Sequence, residues 1–352
     1  MVGKEKDTST TERRTLLKAV GTGAVAGLAG IPSYVGAKQQ DFPSSDIEMI
    51  VPWAAGGGTD RTGRQLASLA ENYMDTSFFV SNVTGGSGSA GFRRAANAEP
   101  DGHTVGVLTV EICTISHLGI ADITPDAFAP VMQYNFDPAS LTVHQDAPYS
   151  TIEEFTSYAE ENPGEIRISN SGIGAIWHLS AAQFAQEVGI EVEHIGYDGG
   201  APATQAVVNG EVEATTASPA EVAPQVQDGP LNMLAVFGEE RSDLFPDVPT
   251  LQERDIDVTI GAWRGLGVPA GTPDERVQAL HDAYRSVYES DEFQNFMNQN
   301  GFGLVYRGPQ EYGEFMQSEL DRFAGIVNQL GLGPGGDDAT PTTTETETTT
   351  TS

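Results

Sequence analysis

Between residues 41 and 332, short apolar runs alternate with longer amphipathic stretches. Strands are expected at 47–52, 78–82, 104–109, 141–144, 165–169, 192–197, 212–216, 231–237 and 266–269, mostly separated by helix-length segments. Helices are expected at 59–73, 152–161, 178–188, 201–209, 273–287 and 309–330. Start signals mark several of them: Ser150 before Ile152, Asp198-Gly199-Gly200 before Ala201, and Thr272-Pro273 with Asp274-Glu275 in the next turn. Strand–helix alternation of this kind implies parallel sheets with helices on both faces. About 290 structured residues exceed what one doubly wound sheet usually needs, so two α/β lobes are expected.

Composition changes this picture mainly through charge. The chain has 352 residues, 39% of them hydrophobic, as an ordinary globular protein does. Yet 50 Asp and Glu stand against 18 Lys and Arg, a formal net charge of −32. That field argues against nucleic acid and against an anionic membrane surface as partners. It suits a halophilic protein, because very high salt shortens the Debye length to a few ångströms and makes self-repulsion tolerable. The single cysteine, Cys113, excludes a disulfide within the chain and is expected to be a small buried apolar residue rather than a nucleophile.

The two ends carry signals of a different kind. Arg13-Arg14-Thr15-Leu16-Leu17-Lys18 precedes a glycine- and alanine-rich apolar run, and Val35-Gly36-Ala37 follows it. This is the layout of a twin-arginine export signal over residues 1–37, with the mature chain starting near Lys38. The apolar run is too short and glycine-rich for a good membrane span, and no cysteine follows it to carry a lipid. An extracellular or cell-surface location is therefore expected. Residues 333–352, mostly Gly, Asp, Thr and Glu, are expected to be a disordered, solubilising tail.

Three segments share one design, in which a strand ends, small residues follow and a helix begins. They are Val51-Pro52-Trp53-Ala54-Ala55-Gly56-Gly57-Gly58-Thr59-Asp60, Asn82-Val83-Thr84-Gly85-Gly86-Ser87-Gly88-Ser89-Ala90-Gly91 and Ser169-Asn170-Ser171-Gly172-Ile173-Gly174-Ala175. Glycine lets backbone approach a ligand, and unpaired N–H groups at a helix start attract an anion. Such loops lie at the carboxyl ends of strands, where α/β sheets bind ligands. Three of them suggest a ligand with more than one anionic group. The second loop also spells a dinucleotide fingerprint through Gly86, Gly88 and Gly91, with Glu111 at the expected spacing. A nicotinamide-dependent oxidoreductase is therefore the alternative, weakened by the lengthened turn and by the lack of a hydride-transfer constellation.

At these loops the sequence resembles the substrate-binding receptors of tripartite tricarboxylate transporters, the Bug family. Pro52 to Asp60 looks like that family's first ligand loop, and Pro100-Asp101-Gly102-His103-Thr104 like its Pro-Asp-Gly-aromatic-Thr turn. Gly199-Gly200-Ala201-Pro202-Ala203, Phe245-Pro246-Asp247-Val248-Pro249-Thr250, Trp263-Arg264-Gly265 and Pro269-Ala270-Gly271-Thr272-Pro273 follow in the family's order. The resemblance implies a two-lobed, type II periplasmic-binding-protein fold with a ligand cleft between the lobes. Lobe 1 would take 41–144 and 264–332, and lobe 2 would take 145–263. Backbone amides and small hydroxyls would hold the ligand carboxylates, and a permease with one large and one small membrane subunit would receive the ligand. There are two departures. Asn82-Val83-Thr84 replaces an Asn-Arg-Pro common in the family, removing a cation, and Ala214-Thr215-Thr216-Ala217-Ser218-Pro219 lacks the aspartate of amino-acid-binding members.

The expected ligand-binding set is Trp53, Gly56, Gly57, Gly58, Thr59, Asp60, Gly85, Ser87, Gly88, Thr109, Glu111, Ser171, Gly172, Trp177, His178, Gly200, Ser218 and Glu221. Trp53 is expected to wall the cleft, His178 to donate to a carboxylate, and Arg264 to brace the hinge. Glu111 and Glu221 end strands where a ligand sits. They could bond ligand hydroxyls or share a hard cation, or else be solvated surface glutamates, the plainer reading for Glu221. The sequon at Asn82 lies in the second loop and is expected to stay unmodified. The sequence as a whole implies a monomeric, non-enzymatic receptor for a small di- or tricarboxylate, with no cofactor and no dedicated metal.

Overall fold

The computed structural model describes residues 42–334; the expected export signal, the start at Lys38 and nearly all of the tail lie outside the described residues. Two sheets organise the chain. The first begins with β1 (Ile47–Val51), β2 (Phe78–Asn82) and β3 (Thr104–Thr109). It is completed by β4 (Phe128–Pro138), β10 (Gly261–Pro269) and β11 (Leu304–Arg307), in the order β11-β4-β10-β3-β1-β2. The second contains β5 (Ser140–His144), β6 (Arg167–Asn170), β7 (Glu193–Gly196), β8 (Ala214–Thr215) and β9 (Leu231–Val236), in the order β7-β6-β8-β5-β9.

Both sheets are mixed, which corrects the expectation of parallel sheets. β1 pairs in parallel with β2 and β3, while β10 runs antiparallel to β3 and β4. In the second sheet β6 is parallel to β7 and β8, and β5 is antiparallel to β8 and β9. Apart from β11, which pairs antiparallel with β4 at the edge of the first sheet, antiparallel pairing centres on β10 and β5, strands next to the two passages between the sheets. One passage lies between β4 and β5, the other between β9 and β10. The strand expected at 141–144 in lobe 1 therefore belongs to the second sheet. Where the chain crosses, three backbone bonds tie the passages together: Ala139 N–H to Ile260 O (3.0 Å), Phe237 N–H to Ala139 O (2.8 Å) and Ile260 N–H to Phe237 O (3.0 Å).

The described residues form nine α-helices. They are α1 (Gly58–Ala70), α2 (Ser89–Ala96), α3 (Ile152–Glu161), α4 (Ile176–Val188), α5 (Gly200–Val208), α6 (Pro219–Gln227), α7 (Asp274–Tyr288), α8 (Asp291–Gln299) and α9 (Pro309–Gln329). Local chemistry sets their ends. Thr151, not Ser150, caps α3 by accepting from Glu154 N–H, while Ser150 bonds the Glu154 side chain. Pro219 and Pro309 occupy first-turn positions, where their missing N–H costs nothing. Gly189 ends α4 with a left-handed backbone at φ 74°.

Around the first sheet, β1, α1 and α7 bury Met49, Leu66, Leu280 and Tyr284. A second core joins the other sheet to α9, through Leu141, Ile168, Phe184, Phe237, Tyr312 and Phe323. The glycine loops after β1, β2 and β6 contact one another or the opposite lobe between the sheets.

Candidate functional site

The first loop runs from β1 into α1 and is braced from within. The Asp60 carboxylate accepts from Gly56 N–H (2.9 Å), Arg64 Nε (2.9 Å) and Asn82 Nδ2 (2.8 Å). Burial works to raise the Asp60 pKa, but these hydrogen bonds outweigh it and leave the group below its usual value. Asn82 Nδ2 also donates to Trp53 O, so the sequon nitrogen is engaged twice. Asp60 and Gly56 thus shape the loop, leaving the amides further along it to face the second sheet. Trp53 is buried and donates from Nε1 to Thr109 Oγ1 at 3.2 Å.

Opposite α1, the start of α6 presents Glu221. Its Oε1 accepts from Gly58 N–H (3.0 Å) and from Arg264 Nη2 (3.1 Å). Its Oε2 is buried without a partner, and it lies where a Cβ on Gly200, the first residue of α5, would come within 2.6 Å. The Glu221 side chain is 5% exposed, which corrects the reading of a solvated surface glutamate. Burial raises its pKa, and the Arg264 charge only partly opposes this.

Arg264 lies at the centre of the crossing. Its side chain is 2% exposed and bonds Asp137, Asn135, Thr59 Oγ1 (3.0 Å) and Glu221. Burial alone would lower its pKa, but Asp137 and Glu221 raise it, so it stays a full cation. One guanidinium therefore links β4 and β10 of the first sheet, the start of α1, and α6 of the second lobe. This is the bracing geometry expected of Arg264, now with its partners named.

The second and third loops meet across the same space. Ser87 takes a left-handed backbone (φ 51°), uncommon for a residue with a Cβ, and its hydroxyl donates to Ile173 O at 2.7 Å. Gly172, at φ 126°, lies against Ser87, and its N–H donates to Asn170 Oδ1 (3.1 Å). Near them Ala54 N–H of the first loop donates to Asp198 O at 3.1 Å. Gly85 and Gly88, both at positive φ, turn the second loop into α2.

Glu111 mirrors Glu221. It follows β3, is 2% exposed, and accepts from Ile176 N–H at 3.0 Å, the first residue of α4 on the other sheet. Its second oxygen accepts from Thr109 Oγ1. Burial raises its pKa, and the bonds from Thr109 and Ile176 counter that. The two glutamates have separate hydrogen-bond partners, and among the described residues no group of three or more His, Cys, Asp and Glu is placed to hold a metal ion.

The remaining expected residues divide. Ser171 is buried within the third loop, Thr59 and Thr109 serve Arg264 and Glu111, Gly57 caps α1, and Gly200 opens α5. Ser218 caps α6 by accepting from Glu221 N–H. Trp177 is a core residue, 3% exposed among the apolar side chains of the second sheet, because α4 turns it inward. His178 accepts from Gly174 N–H at Nδ1 (2.9 Å) and packs edge-on to His194. Burial, and then His194, lower its pKa to about 3, so it is neutral and structures the third loop. Cys113 is fully buried, its thiol pushed well above the usual range by burial and by Glu319 and Glu111. The sequence did not reveal Asn135 and Asp137 as part of the Arg264 cluster. Their signal was a period-two run in β4 whose polar face turns out to be buried.

Two mixed sheets joined by crossing strands, with glycine loops meeting between them, define a two-lobed solute-binding protein of the periplasmic-binding kind. The chain belongs to the tripartite tricarboxylate transporter receptor family (TctC), whose profile matches residues 62–332. A TctC solute-binding protein from Polaromonas, solved without ligand, is 37% identical, with a TM-score of 0.61 over 82% of this chain and 99% of its own. MatC from Rhodopseudomonas palustris, solved with bound malate, is 26% identical, with a TM-score of 0.77 over 81% of this chain and 100% of its own. Another R. palustris protein, solved with adipate, is also 26% identical, with a TM-score of 0.80 over 84% of this chain and 100% of its own. Nothing in these relatives favours the oxidoreductase alternative. Gly91 of the supposed fingerprint packs on Pro52, and Glu111 is held by Ile176 N–H instead of facing a ribose.

Proposed function

We propose that this chain is an extracytoplasmic, non-enzymatic receptor that closes two lobes over a small di- or tricarboxylate. It then hands the ligand to a permease with one large and one small membrane subunit. The observation that carries this reading is chemical: two carboxylates, Glu111 and Glu221, already lie on N–H groups at helix starts of the opposite lobe. Such helix starts favour anions. Relatives solved with malate and adipate support the same ligand class. The 37%-identical neighbour overlaps less well than two 26%-identical ones, as hinge rotation between similar lobes produces.

Lobes divided at the crossings, export by the twin-arginine route, function in high salt and a monomeric state complete the proposal. The net charge of −32 means long-range steering repels the ligand, so capture relies on short-range amides. The test is a thermal-shift screen in molar salt with malate, succinate, adipate, citrate and NAD(P). A ligand that binds only the native state raises its apparent stability. Stabilisation by a carboxylate is expected; stabilisation by NAD(P) alone would sink the proposal.

A further inference from the structure

Glu221 occupies an anion site. Gly58 N–H, at the start of α1, donates to Oε1, and Arg264 Nη2 donates to the same oxygen. The other oxygen faces Gly200 at the start of α5. Two helix starts and a guanidinium around one carboxylate form a strongly favourable anion environment. The fit of the resident is imperfect, because Oε2 is buried with no donor. A buried polar atom without a partner is uncommon and calls for an explanation. The tether provides one. The Glu221 side chain springs from α6 itself and, as it lies, serves the start of α1 and not that of α5, a constraint that an untethered carboxylate does not share.

We propose that Glu221 is a built-in competitor that fills the anion site between α1, α5 and Arg264, and that a ligand carboxylate enters by displacing it. This rests on the receptor reading above. Glu111 stands in the same relation to the start of α4, so each lobe lends one carboxylate to a helix start of the other. The pair makes the cleft selective. A ligand must present carboxylates that bond the amides better than the tethered glutamates do, so weak or singly placed anions are rejected. The −32 surface alone would not achieve this in high salt, where long-range repulsion is screened.

Two measurements test the proposal. In the first, Glu221→Ala empties the site, and melting temperatures of variant and wild type are compared in sodium acetate and in sodium chloride at equal sodium concentration. Acetate is expected to stabilise the variant by several degrees more than it stabilises the wild type, as the free carboxylate fills the vacancy. Equal stabilisation of both proteins overturns the proposal. In the second, Glu221→Gln keeps the volume but weakens the competitor, and malate and adipate are titrated calorimetrically. The bond from Gly58 then goes to a neutral group instead of a charged one. Exchange is thereby favoured and binding tightens about fivefold. Weaker binding overturns the proposal, because it makes Glu221 a ligand contact. If the alanine variant does not fold, the glutamine variant decides. If wild type binds neither carboxylate, the receptor reading has failed, and the acetate comparison still reads the site.

Discussion

Replacing Arg264 with Met is the severest single test of how the lobes are joined. The side chains of Arg264 and Asp137 are each 2% exposed, and that of Glu221 is 5% exposed, so this cluster belongs with buried ion pairs. An exposed pair is worth about 0–1 kcal/mol, whereas removing one partner of a buried pair costs about 3–5 kcal/mol, because the other charge stays buried and unpaired. Arg264→Met strands two carboxylates and also removes a donor from Asn135 and Thr59. A loss of about 3–5 kcal/mol is therefore expected, or about 5–8 °C in Tm for a chain of this size. Because the cluster is buried, salt screens it little, and the loss should be alike in 2 M and 4 M KCl. Chemical denaturation at both salt concentrations measures it. Adding Glu221→Gln to Arg264→Met removes one stranded charge and should restore part of the loss, a coupling that the double-mutant cycle isolates. A loss below about 1 kcal/mol, or one that shrinks steadily with salt, would refute the buried-network reasoning.

Two further outcomes follow from local geometry. Gly91→Ala would raise helix propensity by roughly 1 kcal/mol in an open helix. In α2, however, the new Cβ would lie 2.6 Å from Pro52 Cα and 2.8 Å from Val83 O, so a net destabilisation of about 1–3 kcal/mol is expected; a stabilised variant would show that α2 is not in close contact with Pro52 and Val83. For Glu111, burial raises the native pKa above that of the unfolded chain. The native state therefore holds the proton more tightly, and stability is lost as pH rises from the ordinary glutamate range through the raised value. Glu111→Gln removes that loss, so its Tm advantage over wild type should grow with rising pH and then level off. An advantage that shrinks with rising pH would mean that the ionised form is the favoured one.

The architecture was legible where local pattern and burial agree. β2, β3 and α3 lie where the sequence puts them: β2 and β3 are short runs rich in apolar residues between turn signals, and α3 has an apolar face at helical spacing behind a capping threonine. β4 was not seen, since Gln133, Asn135 and Asp137 are polar yet buried, and their partners are distant in sequence. β8 falls inside the strand expected at 212–216 but is only two residues long, and β11, a short edge strand, holds too little pattern to be read. The glycine loops were legible as strand-to-helix turns with free N–H groups, and two of the helix starts they lead into hold carboxylates of this chain. What they bind in this structure was not legible, because the carboxylates of Glu111 and Glu221 reach them only after the chain has crossed between sheets. Trp177 misled for the opposite reason: an aromatic residue beside a ligand loop reads the same whether its helix turns it inward or outward.

The central claim, that the space between the sheets receives a small carboxylate, is tested most directly by isothermal titration calorimetry in molar KCl with malate, adipate and citrate. The account predicts saturable binding of at least one of them at one site per chain, lost or strongly weakened when Gly58→Ala places a Cβ 2.6 Å from Glu221 Oε1 and 2.7 Å from Arg264 Nη2. No heat of binding with any di- or tricarboxylate, or binding left unchanged by Gly58→Ala, would contradict it.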